Sequence, residues 1–288
     1  MKLYTDYLKT RYSPDTVKAY EREIKIFLGN LPSANKAVYK DLVNYLGILR
    51  KRYNNGNTIS RILASIKTYY EFLNYTGQRK DNPAKSIRLR DKQNRSIQLQ
   101  DLFTPEELES LMNRKERYNK LAYRNKVLIS LLIYQGLRLN ELEKVTLNDI
   151  NLQQGSIYIK ATSNTNSREL ALKPAQIMLF FQYISDIRPK LLKGKQSDIL
   201  LLGERSDPMS SENITKHIKR SYKGKFINRN VCAMTIRQSV ITNLLKAGND
   251  LRIVQVFAGH KYPDTTERYK QTNVEQLKQA IQTHHPIK

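Results

Sequence analysis

Two arginines, a lysine, a histidine and a tyrosine in the second half of this chain are of types, and at intervals, that can do chemistry on a phosphate. Arg138 lies in Gly136-Leu137-Arg138-Leu139-Asn140-Glu141-Leu142, and Arg237 in Thr235-Ile236-Arg237-Gln238-Ser239. His260 follows Arg237 by 23 residues, and Tyr269 follows His260 by 9. Lys160 stands between the two arginines. A guanidinium is permanently charged, and its planar fork binds two oxygens at once. Two such forks suit a phosphodiester whose negative charge grows as it is attacked. A tyrosine hydroxyl can form a covalent aryl phosphate. A lysine can protonate a departing oxygen, and a histidine can donate a hydrogen bond. Tyr269 is one tyrosine among 18, so its company gives it weight. Each residue also has a plain structural role open to it. Arg138 can cap a helix end electrostatically, Glu141 can be solvated instead of orienting Arg138, and His260 follows a capping glycine, Gly259.

Composition points the same way. The 288 residues hold 50 Lys and Arg against 26 Asp and Glu, a net charge of +24 with a pI near 9.9. A charge of that size implies a polyanionic partner. It is spread along the chain: residues 1–90 alone hold 18 basic against 7 acidic side chains. That distribution suits two folded parts clamping nucleic acid better than one basic tail. A basic RNA-binding protein is the competing reading of charge alone. No stretch approaches the roughly 18 apolar residues of a membrane span, and MKLYTDYLKT contains no apolar signal core, so a cytoplasmic protein is expected. The single cysteine, Cys232, reads as a small apolar residue, and no Cys/His spacing suggests a metal site.

The elements that must position these residues are mostly helical. Ser13 as N-cap and Pro14 at the first position start a helix carrying Val17, Tyr20, Ile24 and Phe27 at helical spacing. A second helix is expected over about residues 35–50, with Val38, Leu42, Tyr45 and Leu46 inward. After the Asn54-Asn55-Gly56-Asn57 turn, Ile59, Ile62, Leu63, Ile66, Tyr69, Tyr70 and Leu73 form a third stripe. Arg61 and Lys67 fall outside it, free to face phosphate or solvent. Asp81-Asn82-Pro83 closes this part. Three domains of organisation are expected: a helical unit over 1–88, a basic linker over 89–101, and a second unit over 102–288. The second unit opens with the capping box Thr104-Pro105-Glu106-Glu107. Residues 124–135 form an apolar helix ending at Gly136, and a short helix, LNELEKV, follows. Ser156–Lys160 and Leu170–Leu172 bracket a polar loop at 162–167, which reads as a β-hairpin with a long tip. Beyond Pro174 the pattern is helical, ending in a short stripe at Val274, Leu277, Ala280 and Ile281.

Taken in order, the segments around Arg138, the hairpin lysine, Arg237, His260 and Tyr269 resemble the tyrosine recombinase (phage integrase-like) family. Ser13…Thr16…Tyr20, the Asn57-Thr58-Ile59 start of the third helix and Asn82-Pro83 resemble that family's core-binding domain. The resemblance implies a mainly α (α+β) fold, with a helical, SAM-like core-binding domain. Its catalytic domain would be mostly helical with a small antiparallel sheet. It implies a site-specific recombinase or integrase acting on double-stranded DNA, with Tyr269 as nucleophile in a 3′-phosphotyrosyl intermediate. Arg138 and Arg237 would clamp the phosphate, His260 would hydrogen-bond it, and Lys160, on a mobile hairpin, would be the acid. No cofactor or metal is implied. The active assembly would be a homo-tetramer on two DNA sites, its C-terminal stripe docked on a neighbouring or its own domain.

Two positions depart from the family pattern. Where the family carries His or Lys three residues before the second arginine, this chain has Met234, which can neither donate nor exchange a proton. Lys160 also falls about two residues early. A DNA-binding protein of recombinase descent that no longer cuts is therefore the alternative expectation.

Overall fold

The computed structural model describes residues 2–90, 101–116 and 118–269. Most of the expected linker, and the stripe from Val274 to Ile281, lie outside them. The chain divides into two compact units, Met1–Arg95 and Ser96–Lys288. No described helix is long and apolar enough to cross a membrane.

The first unit is built from four helices: α1 (Lys2–Lys9), α2 (Pro14–Asn30), α3 (Tyr39–Arg52) and α4 (Gly56–Tyr75). Ser13 caps α2 and Pro14 opens it, because proline's missing N–H is no loss in the first turn. Asn55 caps α4 by accepting from the Asn57 N–H at 2.9 Å. The expected stripe on α4 is buried against Ile24 and Phe27 of α2 and Leu42, Tyr45 and Leu46 of α3. Helix α1 was not expected; it seats Tyr4 and Leu8 in this core. Helix α3 starts four residues later than its apolar periodicity suggested. A 3₁₀ turn at Ala34–Lys36 precedes it, and the Asp41 carboxylate accepts from the Val38 N–H at 2.9 Å. Val38 thus sits at the cap and is exposed rather than inward.

Two basic residues expected on an open face have internal partners. Arg61 donates to the buried Glu23 carboxylate at 2.9 Å, and Lys67 donates to the Ile87 carbonyl at 2.8 Å. Periodicity places a side chain on a face, but only the fold reveals a carboxylate waiting across it.

The second unit surrounds α6 (Asn119–Tyr134), whose run Val127–Ile133 is buried nearly all round. Before it, α5 (Pro105–Glu109) opens with the expected capping box of Thr104 and Glu107. After it, Gly136 turns the chain with φ +59°, a conformation that only glycine adopts cheaply. Then comes α7 (Leu139–Leu142), shorter than expected. A three-stranded antiparallel sheet follows, β1 (Ile150–Asn151), β2 (Ser156–Ile159) and β3 (Arg168–Ala171), in the order β1-β2-β3. Ile157 and Ile159 point into the core and Tyr158 outward, as strand alternation requires. The helices α8 (Pro174–Gln182), α9 (Arg188–Leu192), α10 (Ser211–Ser221), α11 (Ala233–Lys246) and α12 (Leu251–Ala258) complete the unit, with a further helical stretch at 263–269.

Arg61→Ala removes one of the cations that pair with the buried Glu23 carboxylate and leaves Arg22 at 3.1 Å. It is expected to lower the unfolding free energy by about 1–3 kcal/mol, read from urea unfolding curves.

Candidate active site

Arg237 lies on the buried face of α11, one turn and a half inside a helix whose first turn is capped by Cys232. The Cys232 sulfur accepts from the Thr235 N–H at 3.4 Å, so this residue caps a helix and is more than the small apolar filler expected. The Arg237 guanidinium donates to the Gly136 carbonyl and to the Ala258 carbonyl, each at 2.6 Å. Both carbonyls sit at helix C-terminal ends, the negative poles of α6 and α12. Burial nevertheless pushes its pKa down to about 10, helped by the neighbouring charge of Arg138 and opposed by Glu141. It stays protonated across the physiological range.

Arg138 enters from the start of α7. Its backbone N–H donates to Glu141 at 2.8 Å, so Glu141 caps the helix that begins there. The Arg138 Nε is buried and has no partner among the described residues. Glu141 has no side-chain exposure and lies 3.9 Å from Arg237. Its carboxylate is bound by Arg168 of β3 through both terminal nitrogens, at 2.8 and 3.1 Å. Burial alone would raise the Glu141 pKa; the Arg168 fork, the Arg138 N–H and a Thr165 hydroxyl together hold it below the usual carboxylate range.

Arg168 is the residue that the sequence left unassigned. The loop was expected to run to Ser167 with the second strand starting at Leu170, whereas β3 begins at Arg168, paired in register with Ile159. A signal was present: Arg168 has the parity of Leu170, so it shares the inward face.

His260 follows α12 across Gly259, which closes that helix in the left-handed conformation at φ +66°, as expected. The imidazole is almost fully buried, with Nδ1 2.8 Å from the Thr266 hydroxyl and Nε2 without a partner among the described residues. Burial, and then the positive charge of Arg237 and Arg138, pushes its pKa down to about 3, so it is neutral at physiological pH. The tautomer in which the Thr266 hydroxyl donates to Nδ1 is the one that carries the proton on Nε2. The Tyr269 ring lies parallel to the imidazole, 6.1 Å between centroids, and is buried against Ile241, Val254 and Ala258. Burial raises its phenol pKa, while Arg237, Arg138 and Arg268 favour the phenolate.

Four of the five expected residues therefore converge: Arg138, Arg237, His260 and Tyr269. Lys160 stands just past β2, more than half exposed, and pairs with Asp149 at 3.0 Å and the Thr146 hydroxyl at 3.5 Å. The hairpin tip, expected to be mobile, is tied down. Thr165 forms a bridge with His260, and the Asn166 N–H donates to the Gly259 carbonyl at 2.9 Å. Met234 is exposed one turn before Arg237. Among the described residues, no three His, Cys, Asp or Glu side chains are grouped to hold a metal ion.

The family model described as the phage integrase family matches residues 101–276, and that of the phage integrase N-terminal SAM-like domain matches residues 1–77. Tyrosine recombinase XerD of Listeria innocua is 27% identical over 95% of this chain and 93% of its own length. Tyrosine recombinase XerC of Lactobacillus delbrueckii subsp. bulgaricus is 28% identical over 99% and 98%. Among solved structures, the XerH site-specific recombinase bound to a palindromic difH substrate superposes with a TM-score of 0.67 at 22% identity, covering 85% of this chain and 71% of that one. A lambda integrase dimer bound to a core site gives 0.67 at 16%, covering 90% and 93%.

Because His260 binds its proton less readily folded than unfolded, the unfolded chain takes up protons that the native state refuses. Its stabilising effect is complete above the unfolded value of about 6.5 and is lost as pH falls toward 3. His217, lowered to about 4 mainly by burial, acts in the same direction. Unfolding free energy is expected to drop between pH 7.5 and 5, and the drop should be shallower in His260→Gln. Parallel urea curves at the two pH values test this.

Proposed function

Because the chain belongs to the phage integrase family of tyrosine recombinases, we propose that it breaks and rejoins double-stranded DNA at specific sites through Tyr269. The Tyr269 oxygen attacks the scissile phosphorus and forms a 3′-phosphotyrosyl bond, while the bond to the 5′ oxygen breaks and that oxygen takes a proton. A 5′ hydroxyl of a second strand then attacks the same phosphorus and returns the phenol. The aryl phosphate conserves the energy of the cleaved diester, so rejoining is an exchange of one ester for another.

One observation carries this reading. Arg138 Nε, a donor, and His260 Nε2 are buried without partners among the described residues, grouped with Arg237 and Tyr269. A buried donor left unpaired costs about 1–3 kcal/mol, and a phosphate seated there would satisfy it. Phosphoryl transfer is governed by positioning and charge. The neutral imidazole donates to a non-bridging oxygen. The arginines hold the phosphate and lower the cost of forming phenolate in a buried site.

Lys160 is the proton donor in this reading, releasing Asp149 when the 5′ oxygen arrives. DNA bound by the XerH and lambda integrase structures, together with the +24 charge, supports duplex DNA as the partner. The domain roles follow: 1–88 grips DNA, 89–101 links, and 102–288 cuts. The active species would be a cytoplasmic homo-tetramer on two sites, whether it serves as a mobile-element integrase, an invertase or a resolvase of chromosome dimers.

On a duplex nicked beside the scissile phosphate, so that the cleaved fragment diffuses away, the wild-type chain is expected to form a covalent DNA adduct. Tyr269→Phe should form none on a denaturing gel; an adduct persisting in that variant, or absent from wild type, sinks the reading. Lys160→Ala is expected to slow adduct formation by about 100-fold or more. A substrate with sulfur at the 5′ bridging position should restore most of the rate, since a thiolate departs without a proton. Equal loss on both substrates would remove Lys160 from the role of acid.

A further inference from the structure

Arg168 occupies an inward position of β3 where strand alternation calls for an apolar side chain. Its side chain is almost wholly enclosed, with both terminal nitrogens on Glu141 and its Nε buried without a partner among the described residues. It runs beneath the turn that carries His260. A Cβ at Gly259 would stand 2.5 Å from Arg168 Nη1 and 3.0 Å from its Cζ. Enclosed in this way, Arg168 has no surface to offer a phosphate. What it touches is Glu141, and Glu141 lies within 3.9 Å of Arg237 and holds the Arg138 backbone.

A buried carboxylate without a committed partner would draw toward the nearest cation. Here the nearest others are the arginines that bind phosphate in the reading above. Drawn to either, it would compete with the phosphate for the same fork.

We propose that Arg168 is a positioning residue for strand cleavage: its bidentate grip restrains Glu141, so that Arg138 and Arg237 keep their charge for the scissile phosphate. Three guanidiniums and one carboxylate leave the cluster two positive charges. A phosphodiester carries one negative charge, and attack by a phenolate brings a second into the transition state. The site is then electrostatically matched to the transition state rather than to the ground state. The same grip fastens β3 to α7, so the hairpin that meets His260 and the helix that presents Arg138 move as one piece.

The inference rests on the functional reading, and the experiment separates the two. Adduct formation on the nicked duplex is followed under single-turnover conditions for wild type, Arg168→Met, Glu141→Gln and the double variant, with DNA affinity measured by gel shift. Arg168→Met is expected to slow adduct formation at least about tenfold while affinity stays within about threefold. In the Glu141→Gln background, where no carboxylate needs restraint, the same change should cost less than about threefold. The double variant removes both charges of the buried pair, so it is expected to react within about threefold of Glu141→Gln even if Arg168→Met alone does not fold. A wild-type rate in Arg168→Met, or an equal loss in both backgrounds, overturns the proposal and leaves the recombinase reading standing. A wild-type chain that makes no adduct overturns the recombinase reading itself.

Discussion

Two buried arginines with a third half-buried beside them need an anion among them, and in this protein that anion is Glu141. Each guanidinium taken from water costs several kcal/mol unless it is paired. Glu141 meets that demand from the first turn of α7, with Arg168 on its two oxygens, the Arg138 N–H on one of them and Arg237 at 3.9 Å. One carboxylate thus ties together a helix start, an inward strand position and the buried face of α11. Were it absent, β3 would have a buried charge without a partner.

The remaining charge is balanced by backbone dipoles. Arg237 is held by carbonyls at the ends of α6 and α12, so the lengths of two helices determine where its guanidinium sits. Gly136 and Gly259 turn the chain sharply just past those ends, each with positive φ. The core around α6 acts on the site through these ends: apolar packing sets where the helices lie, and their last carbonyls set where the charge lies.

The site combines a nucleophile whose ionisation is opposed by burial with cations that favour it. Tyr269 and His260 lie against each other in a pocket that keeps the imidazole neutral. A neutral imidazole adds no charge to a cluster already positive, yet still presents an N–H. That division of labour, charge from arginine and a directed hydrogen bond from histidine, follows from the different pKa values of the two side chains. Lys160 is built differently: exposed, ion-paired with Asp149, at the end of a strand rather than inside the cluster.

Much of this was legible in the residues alone. The helix starts at Ser13 and Thr104, the turn at residues 54–57, the glycine stops at 136 and 259, and the apolar stripes of α2, α4 and α6 are local properties, readable at spacings of three and four. The order of Arg138, Arg237, His260 and Tyr269 was also written in the chain, because the chemistry requires those residue types. What the chain did not disclose is who neutralises whom. Arg61 meets Glu23 across 38 residues and Arg168 meets Glu141 across 27. Such pairs are decided by which surfaces the core brings together, since a charge leaves water only where the fold supplies its partner. The residue types and their order came from sequence; the pairing that makes a site of them came from tertiary structure, because burial and electrostatic compensation are properties of packing rather than of spacing.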